Sequence, residues 1–178
     1  MKKQLFRYLS GIIPAIALFT SVNGQVEKPS LESNYNEIIF NDTKANPVTT
    51  KDGSIVHINT NALKEFKKSF KDADKTNWSE IQHGFLAKFK TNGVQTRAFY
   101  DPKGRWTATI RTYSQDKLPG EVRKLVRSNY YDYSIYVVNE VIVGDKTAYL
   151  VSIEDGESIK TIRVTEDEMD VYEDFKKS

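Results

Sequence analysis

The chain has 178 residues, 39% of them hydrophobic, and carries 26 Lys and Arg against 24 Asp and Glu. That length and apolar content suit one domain with its own core, while the absence of cysteine excludes disulfides, an acylated lipoprotein anchor and a cysteine nucleophile. The near balance of charge speaks against nucleic acid as a partner, because polyanion binders carry a clear excess of Lys and Arg.

Lys2, Lys3 and Arg7 precede an apolar segment from Ile12 to Phe19, and Thr20-Ser21-Val22-Asn23-Gly24 then places compact residues ahead of a cut before Gln25, the order of a secretory signal. The apolar run falls short of the roughly 20 residues of a membrane span, and Pro14 interrupts it. Residues 1–24 therefore read as a removed signal peptide, which makes the mature chain periplasmic or secreted, with no membrane span. Cleavage removes three cations and no acid, leaving 23 Lys and Arg against 24 Asp and Glu, so the full chain's pI of about 8.6 belongs to the signal. In the mature part, residues 62–127 hold 15 basic and 7 acidic side chains, and residues 128–178 hold 5 and 12. Such a division is either a pair of solvated surfaces or a field that steers a partner.

Residues 25–61 read as a partly flexible leader, polar apart from Ile38-Ile39-Phe40 and Ile55-Val56-His57-Ile58. It is a tether or adds an edge strand, and Asp52-Gly53 ahead of the second cluster predicts a short strand there. Ala62, Phe66, Phe70 and Ala73 recur at helical spacing behind the capping candidates Thr60 and Asn61, which predicts an amphipathic helix of about three turns. Phe85 to Phe89 alternates, Asn92-Gly93 suits a tight hairpin, and Gln95 to Tyr100 returns. Asp101-Pro102-Lys103-Gly104 has the residue order of a type I turn. A third strand from Arg105 to Tyr113 is expected to put Trp106, Ala108 and Ile110 on a dry face and Thr107, Thr109 and Arg111 on a wet one.

A second helix is expected from Leu118-Pro119, with proline in its first turn and Val122, Leu125, Val126 and Tyr130 as its apolar stripe. Strands follow at Ser134 to Val143, Thr147 to Glu154 and Ser158 to Thr165, separated by turns at Gly144-Asp145-Lys146 and Asp155-Gly156, and a last strand runs from Met169 to Phe175. The stretches at about 62–113 and 118–175 read as tandem repeats of a helix plus an antiparallel meander. Phe66 and Phe70 answer to Val122 and Val126, and Phe85, Ala87 and Phe89 to Tyr149, Val151 and Ile153. Neither a lone helix of this length nor a small sheet with a bare apolar face is stable in water. The expected product is an α+β domain over 62–178 with its helices packed on one face of the sheet.

Phe66-x3-Phe70 before Trp78, Phe85-x-Ala87-x-Phe89, Phe99-Tyr100-Asp101-x-x-Gly104, Leu118-Pro119-x-x-Val122 and Tyr130 together resemble the PepSY-like domains exported by Bacteroidetes-type bacteria. Those domains are similar in fold to the β-lactamase inhibitory protein. The resemblance spans about 62–175 and rests on packing and turn residues. The chain departs from the pattern at Glu166-Asp167-Glu168, where an Asp-Gly turn is expected. The resemblance implies an exported binding or inhibitory module, and it brings no catalytic or ligand residue with it.

No Gly-x-Ser-x-Gly, His-Glu-x-x-His or Gly-Lys-Ser/Thr motif occurs, and His57 and His83 have no third ligand at a recognised spacing. No enzyme, cofactor or metal site is therefore expected. The acidic run of Glu166, Asp167, Glu168, Asp170, Glu173 and Asp174 lacks the alternating ligands and central glycine of a calcium loop and reads as a solvated edge that discourages strand pairing. A small-ligand or divalent-cation sensor of the envelope is the alternative function. The leading expectation is recognition or inhibition of a protein partner in the envelope. Tyr131 and Tyr133 fall in the loop after the second helix, with Tyr136 just beyond; not all can be buried there, and rigid rings with polar tips suit an interface. Tyr100, Arg111 and Tyr113, expected on the sheet surface opposite or beside Trp106, form a second candidate patch.

Overall fold

Ten-residue helices and long antiparallel hairpins alternate along the described residues of the computed structural model, 45–49 and 55–177. β1 (Ala45–Thr49) and β2 (Ile55–Asn59) form a two-stranded sheet. α1 (Thr60–Ser69) leads into β3 (Asp74–Ile81), β4 (Gly84–Thr91), β5 (Val94–Tyr100) and β6 (Trp106–Tyr113). A 3-10 turn (Gln115–Lys117) and α2 (Gly120–Asn129) lead into β7 (Ser134–Val143), β8 (Lys146–Glu154), β9 (Ser158–Val164) and β10 (Met169–Lys176). β3 to β10 make one antiparallel sheet of eight strands in sequence order, which gives the α+β class. The expected signal peptide and Ile38-Ile39-Phe40 lie outside the described residues.

Local chemistry explains most of these boundaries. The cap of α1 is Asn59, whose Oδ1 accepts the Asn61 N–H at 2.8 Å, rather than Thr60 or Asn61. The helix closes where the Phe70 N–H donates to Phe66 O at 2.8 Å. Pro119 stands at the cap of α2, with no side-chain bond, one position ahead of the first turn. The core-facing stripe of α2 is the buried Val126 with Val122 and Tyr130, partly buried, packed against the same cluster; Leu125 lies off that i, i+4 line and is 42% exposed, which corrects its place in the expected stripe. The polar sequence of β3 gives no strand signal, because an edge strand with Trp78 as its one buried residue needs no alternation. The expected turn closes at Asp101 to Gly104, the Gly104 N–H donating to Asp101 O at 2.9 Å, and β9 joins β10 across Glu166-Asp167-Glu168 with the Thr165 N–H on Glu168 O at 2.9 Å.

Register assigns each residue to a face. Trp78, Ala87, Ala98 and Thr109 lie abreast, and further along the same side so do Tyr113, Val138, Val151 and Ile162. Both helices cover this side. Phe66 meets Phe70, Trp78 and Phe89 at ring separations of 5.5, 5.2 and 5.0 Å, and Val126 packs with Tyr113, Val138, Val151 and Ile162. Val56 and Ile58, within the stretch read as leader, are buried in the cluster beneath α1.

β6 departs from its expected alternation. Tyr100 pairs with Trp106 and Phe99 with Ala108, so Thr107 is an extra residue and the alternation restarts after it. Trp106 therefore shares the helix side with Thr109 and Arg111, while Ala108 and Ile110 face the other way. Neither side of β6 is simply wet, since Ala108, Thr109 and Ile110 are 2%, 4% and 1% exposed in succession.

Candidate partner-binding surface

The Tyr130 N–H donates to Val126 O at the end of α2, and a turn through Tyr131 and Asp132 closes with the Tyr133 N–H on Tyr130 O at 3.2 Å. Tyr130 and Tyr133 fold inward onto the cluster beneath α2, their rings edge to face at 5.8 Å. The Tyr133 hydroxyl bonds Ser158 Oγ at 2.9 Å, and Lys160 Nζ lies 5.9 Å from its ring centre. Tyr131 has no such place and is 82% exposed. With Gln115, Arg127 and Tyr133 it lines an open cleft of about 380 Å³. Arg127 donates to Gln115 Oε1 at 2.8 Å and Arg123 to Gln115 O at 3.3 Å, which ties the 3-10 turn to α2 along one wall.

The turn after α1 has the same backbone geometry. Phe70 at φ −124°, ψ 66° matches Tyr130 at φ −133°, ψ 59°, and the Ala73 N–H donates to Phe70 O as that of Tyr133 does to Tyr130 O. The place of Tyr131 is taken there by an exposed Lys71. The turn itself therefore needs no aromatic side chain at this position.

Tyr136 is half-buried on β7 and is the additional residue where the pairing with β8 shifts between Ile135 and Val137. The second expected patch does not assemble as a surface. Tyr100 is 1% exposed and packs on Trp78 with ring centres 5.6 Å apart, and Tyr113 is 8% exposed. Both lie beneath the helix layer, on the same side as Trp106, so in the folded domain neither ring faces a partner. Burial raises both phenols above their ordinary range, that of Tyr100 further through the charge of Glu65 and that of Tyr113 through its bond to Glu140. Arg111 stays partly exposed and bridges Glu140 at 3.3 Å, while the Tyr113 hydroxyl donates to the same Glu140 oxygen at 2.9 Å.

Among the described residues no group of three or more His, Cys, Asp or Glu is placed to hold a metal. The acids of the last hairpin engage cations instead. Arg163 holds Asp170 through two nitrogens, each at 2.9 Å, and Glu168 at 3.3 Å, and Lys160 pairs with Asp174.

A further cleft of about 400 Å³ opens beside α1, lined by Lys64, Glu65 and Lys68 of the helix and Lys103, Gly104 and Arg105 of the β5–β6 turn. No motif marks it; its trace in the sequence is the cation excess of residues 62–127. Asn59 Nδ2 donates to Pro102 O at 3.1 Å and Asn61 Nδ2 to Lys103 O at 3.3 Å, stapling turn to helix. Gly104 sits at φ +77°, and a Cβ there would lie 2.5 Å from Ala62 N, so the two backbones touch. Asp101 Oδ1 accepts the N–H groups of Lys103 and Arg105, both at 2.9 Å, and its Oδ2 accepts from the Arg105 side chain at 2.7 Å. Desolvation works against the charged form of Asp101, but these bonds and the Arg105 charge hold it below the usual carboxylate range.

Several solved structures share this arrangement. A BLIP-like protein from Bacteroides fragilis matches 70% of this chain and 90% of its own length, with a TM-score of 0.58 and 16% identity. A DUF2874 family protein from Bacteroides ovatus matches 68% and 89% at TM-score 0.58 and 17% identity. The fold is BLIP-like. A Bacteroides eggerthii protein described as periplasmic shares it at TM-score 0.57 and 17% identity over 68% of this chain and 90% of its own. No family model matches the chain, and no curated protein matches its sequence. The BLIP-like fold thus agrees with the architecture expected from the resemblance, without singling out PepSY-like domains. No helix among the described residues is long and apolar enough to cross a membrane.

Proposed function

We propose that the protein is an exported, non-catalytic binding module of the cell envelope that recognises a protein partner through the turn after α2. Tyr131 carries this reading. The matching turn after α1 folds with Lys71 in its place, so the ring does nothing for the turn, yet it is held 82% exposed beside Arg127. Tyr and Arg are the residue types in which interface energy concentrates. Tyr133 lines the same cleft as a half-buried ring, Tyr136 follows half-buried on β7, and Arg111 is the member of the second patch that still reaches solvent. A stable complex buries about 1,600 Å² in total, so the turn serves as the centre of a wider contact.

A BLIP-like neighbour supports binding over catalysis, and a neighbour described as periplasmic supports the envelope location implied by the signal-peptide reading of residues 1–24. We also read the two halves as tandem PepSY-like repeats. In support, α1 and α2 both have ten residues and start sixty positions apart, at Thr60 and Gly120. On that offset Phe66 answers to Val126 and Phe70 to Tyr130, one turn on from the pairing expected from hydrophobicity.

Immobilised residues 25–178 should retain one near-stoichiometric protein from an extract of the cell's own envelope, identified by mass spectrometry. Tyr131→Ala should then lower capture more than tenfold while the melting temperature stays unchanged. Unchanged capture rejects the site, and retention of nothing above background rejects the binding-module reading.

A further inference from the structure

The cleft beside α1 breaks local rules for a stable helix. α1 has no acidic residue in its first turn, where the helix dipole favours one, whereas α2 has Glu121 there. Lys64 and Lys68 stand one turn apart, a like-charge spacing that weakens a helix. The staple through Asn59 and Asn61 brings Lys103 and Arg105 to the same place. On α2 the comparable pair, Arg123 and Arg127, is tied into bonds with Gln115. Among the described residues Lys64, Lys68 and Lys103 form no ion pair. Glu65, three residues before Lys68, and the helix dipole at the last turn offset part of this for Lys68, whereas nothing of the kind acts on Lys64 and Lys103; local preferences broken in this way are expected at functional sites.

We propose that this cleft binds an acidic peptide segment of a protein partner. This deepens the binding-module reading, and it adds a contact surface separate from the Tyr131 turn. Three uncommitted ammonium groups and the Arg105 guanidinium attract carboxylates, and long-range attraction of this kind raises the rate of encounter. The remaining lining selects peptide over a simple anion. Glu65 is an acceptor inside the cleft, and Asn61, whose Nδ2 donates to Lys103 O, keeps Oδ1 as an acceptor. A fully ionised inorganic anion such as sulfate offers no donors to these groups and is repelled by Glu65. A peptide backbone supplies N–H donors between its carboxylates. The rigidity of the backbone contact at Gly104 fixes the spacing between the helix cations and the turn cations.

The test uses residues 25–178 and two labelled decapeptides of alternating sequence, one of Glu and Gly and one of Lys and Gly, with fluorescence anisotropy read at low and moderate salt. The acidic peptide should bind, more weakly at the higher salt, and the basic one should not. Lys64→Gln with Lys68→Gln should weaken acidic-peptide binding at least tenfold without lowering the melting temperature, Lys103→Gln should weaken it independently, and Lys64→Arg with Lys68→Arg should restore it. Lys146→Gln, in the acidic half, should leave binding unchanged. Absence of acidic-peptide binding overturns the proposal, as does an equal loss with Lys146→Gln. Binding to vesicles containing anionic lipid without binding to the peptide overturns it in favour of a membrane surface. The two readings fail separately: envelope capture that needs Tyr131 while the peptide does not bind removes this cleft alone, and peptide binding together with envelope capture that is unchanged in Tyr131→Ala removes the Tyr131 site alone.

Discussion

Trp106 donates its indole N–H to Thr109 Oγ1 at 2.8 Å, although residues three apart in an unbroken strand point to opposite sides of a sheet. The extra residue Thr107 brings them to one side, and its own hydroxyl donates to Phe99 O at 3.1 Å. A strand that carries the boundary between two core clusters is thus re-aimed within one residue, so that a large indole covers the cluster under α1 while Ala108 and Ile110 fill the opposite side.

That bond predicts the behaviour of Thr109→Val. The substitution keeps the shape of the side chain and leaves a half-buried indole N–H without its acceptor, at about 1–2 kcal/mol. Denaturant unfolding measures this directly. In the Trp106→Phe background Thr109→Val should cost markedly less, because the two share one interaction.

Glycine is required at Gly84 for two reasons at once. Its φ is +136°, and a Cβ would lie 1.9 Å from Tyr100 O, whereas Gly93 at φ +74° has nothing within 4 Å of such a Cβ. Gly84→Ala should therefore destabilise by more than about 3 kcal/mol, since backbone strain of about 1–3 kcal/mol adds to a clash with main chain. Gly93→Ala should cost about 1–2 kcal/mol, the left-handed conformation alone. Equal losses in thermal melts of the two variants would contradict this account.

Phe66 and Leu125 separate core from surface on the two helices. Phe66 is 7% exposed with three aromatic rings around it, and Leu125 is 42% exposed. Phe66→Ala should cost about 3–5 kcal/mol and Leu125→Ala no more than about 0.5 kcal/mol, read as shifts in the denaturant midpoint at constant slope.

The β5–β6 turn should make stability depend on pH at the acid end. Asp101 ionises more readily in the folded chain than in the unfolded one, where a carboxyl of this type has a pKa of about 3.9. Its contribution is complete above that unfolded value and is lost as pH falls below it and through the lower folded value. Melting temperatures between pH 5 and 2 should fall less steeply for Asp101→Asn than for the parent chain; identical slopes would show that the turn does not depend on the carboxylate charge.

Much of the scaffold is legible in residues close together in sequence. The strand from Ser134 to Val143, the Asn92-Gly93 hairpin, the Asp101 to Gly104 turn and the helical phase of Phe66 all follow from periods and turn chemistry acting over fewer than about ten residues. β3 is not legible, because Trp78 packs into a polar strand that exists by hydrogen bonding to β4. The candidate site divides in the same way. Tyr131 is recognisable as a loop aromatic, whereas Tyr100 and Tyr113 pass for surface residues until a helix is laid over them.

The amino-acid sequence by itself therefore determined the class of the fold, most strand and helix positions and the excess of cations in residues 62–127, all of which depend on composition and on near neighbours. Tertiary structure decided which side of β6 each residue faces, that Tyr100 and Tyr113 are core, that Lys71 and Tyr131 occupy matching turns, and that Lys64, Lys68, Lys103 and Arg105 meet around one cleft. These outcomes rest on pairing register and on contacts between segments some forty residues apart, such as Asn59 with Pro102 and Asn61 with Lys103. A strand's local alternation carries no record of where one extra residue will be accommodated, because the partner strand, and not the strand itself, sets the count.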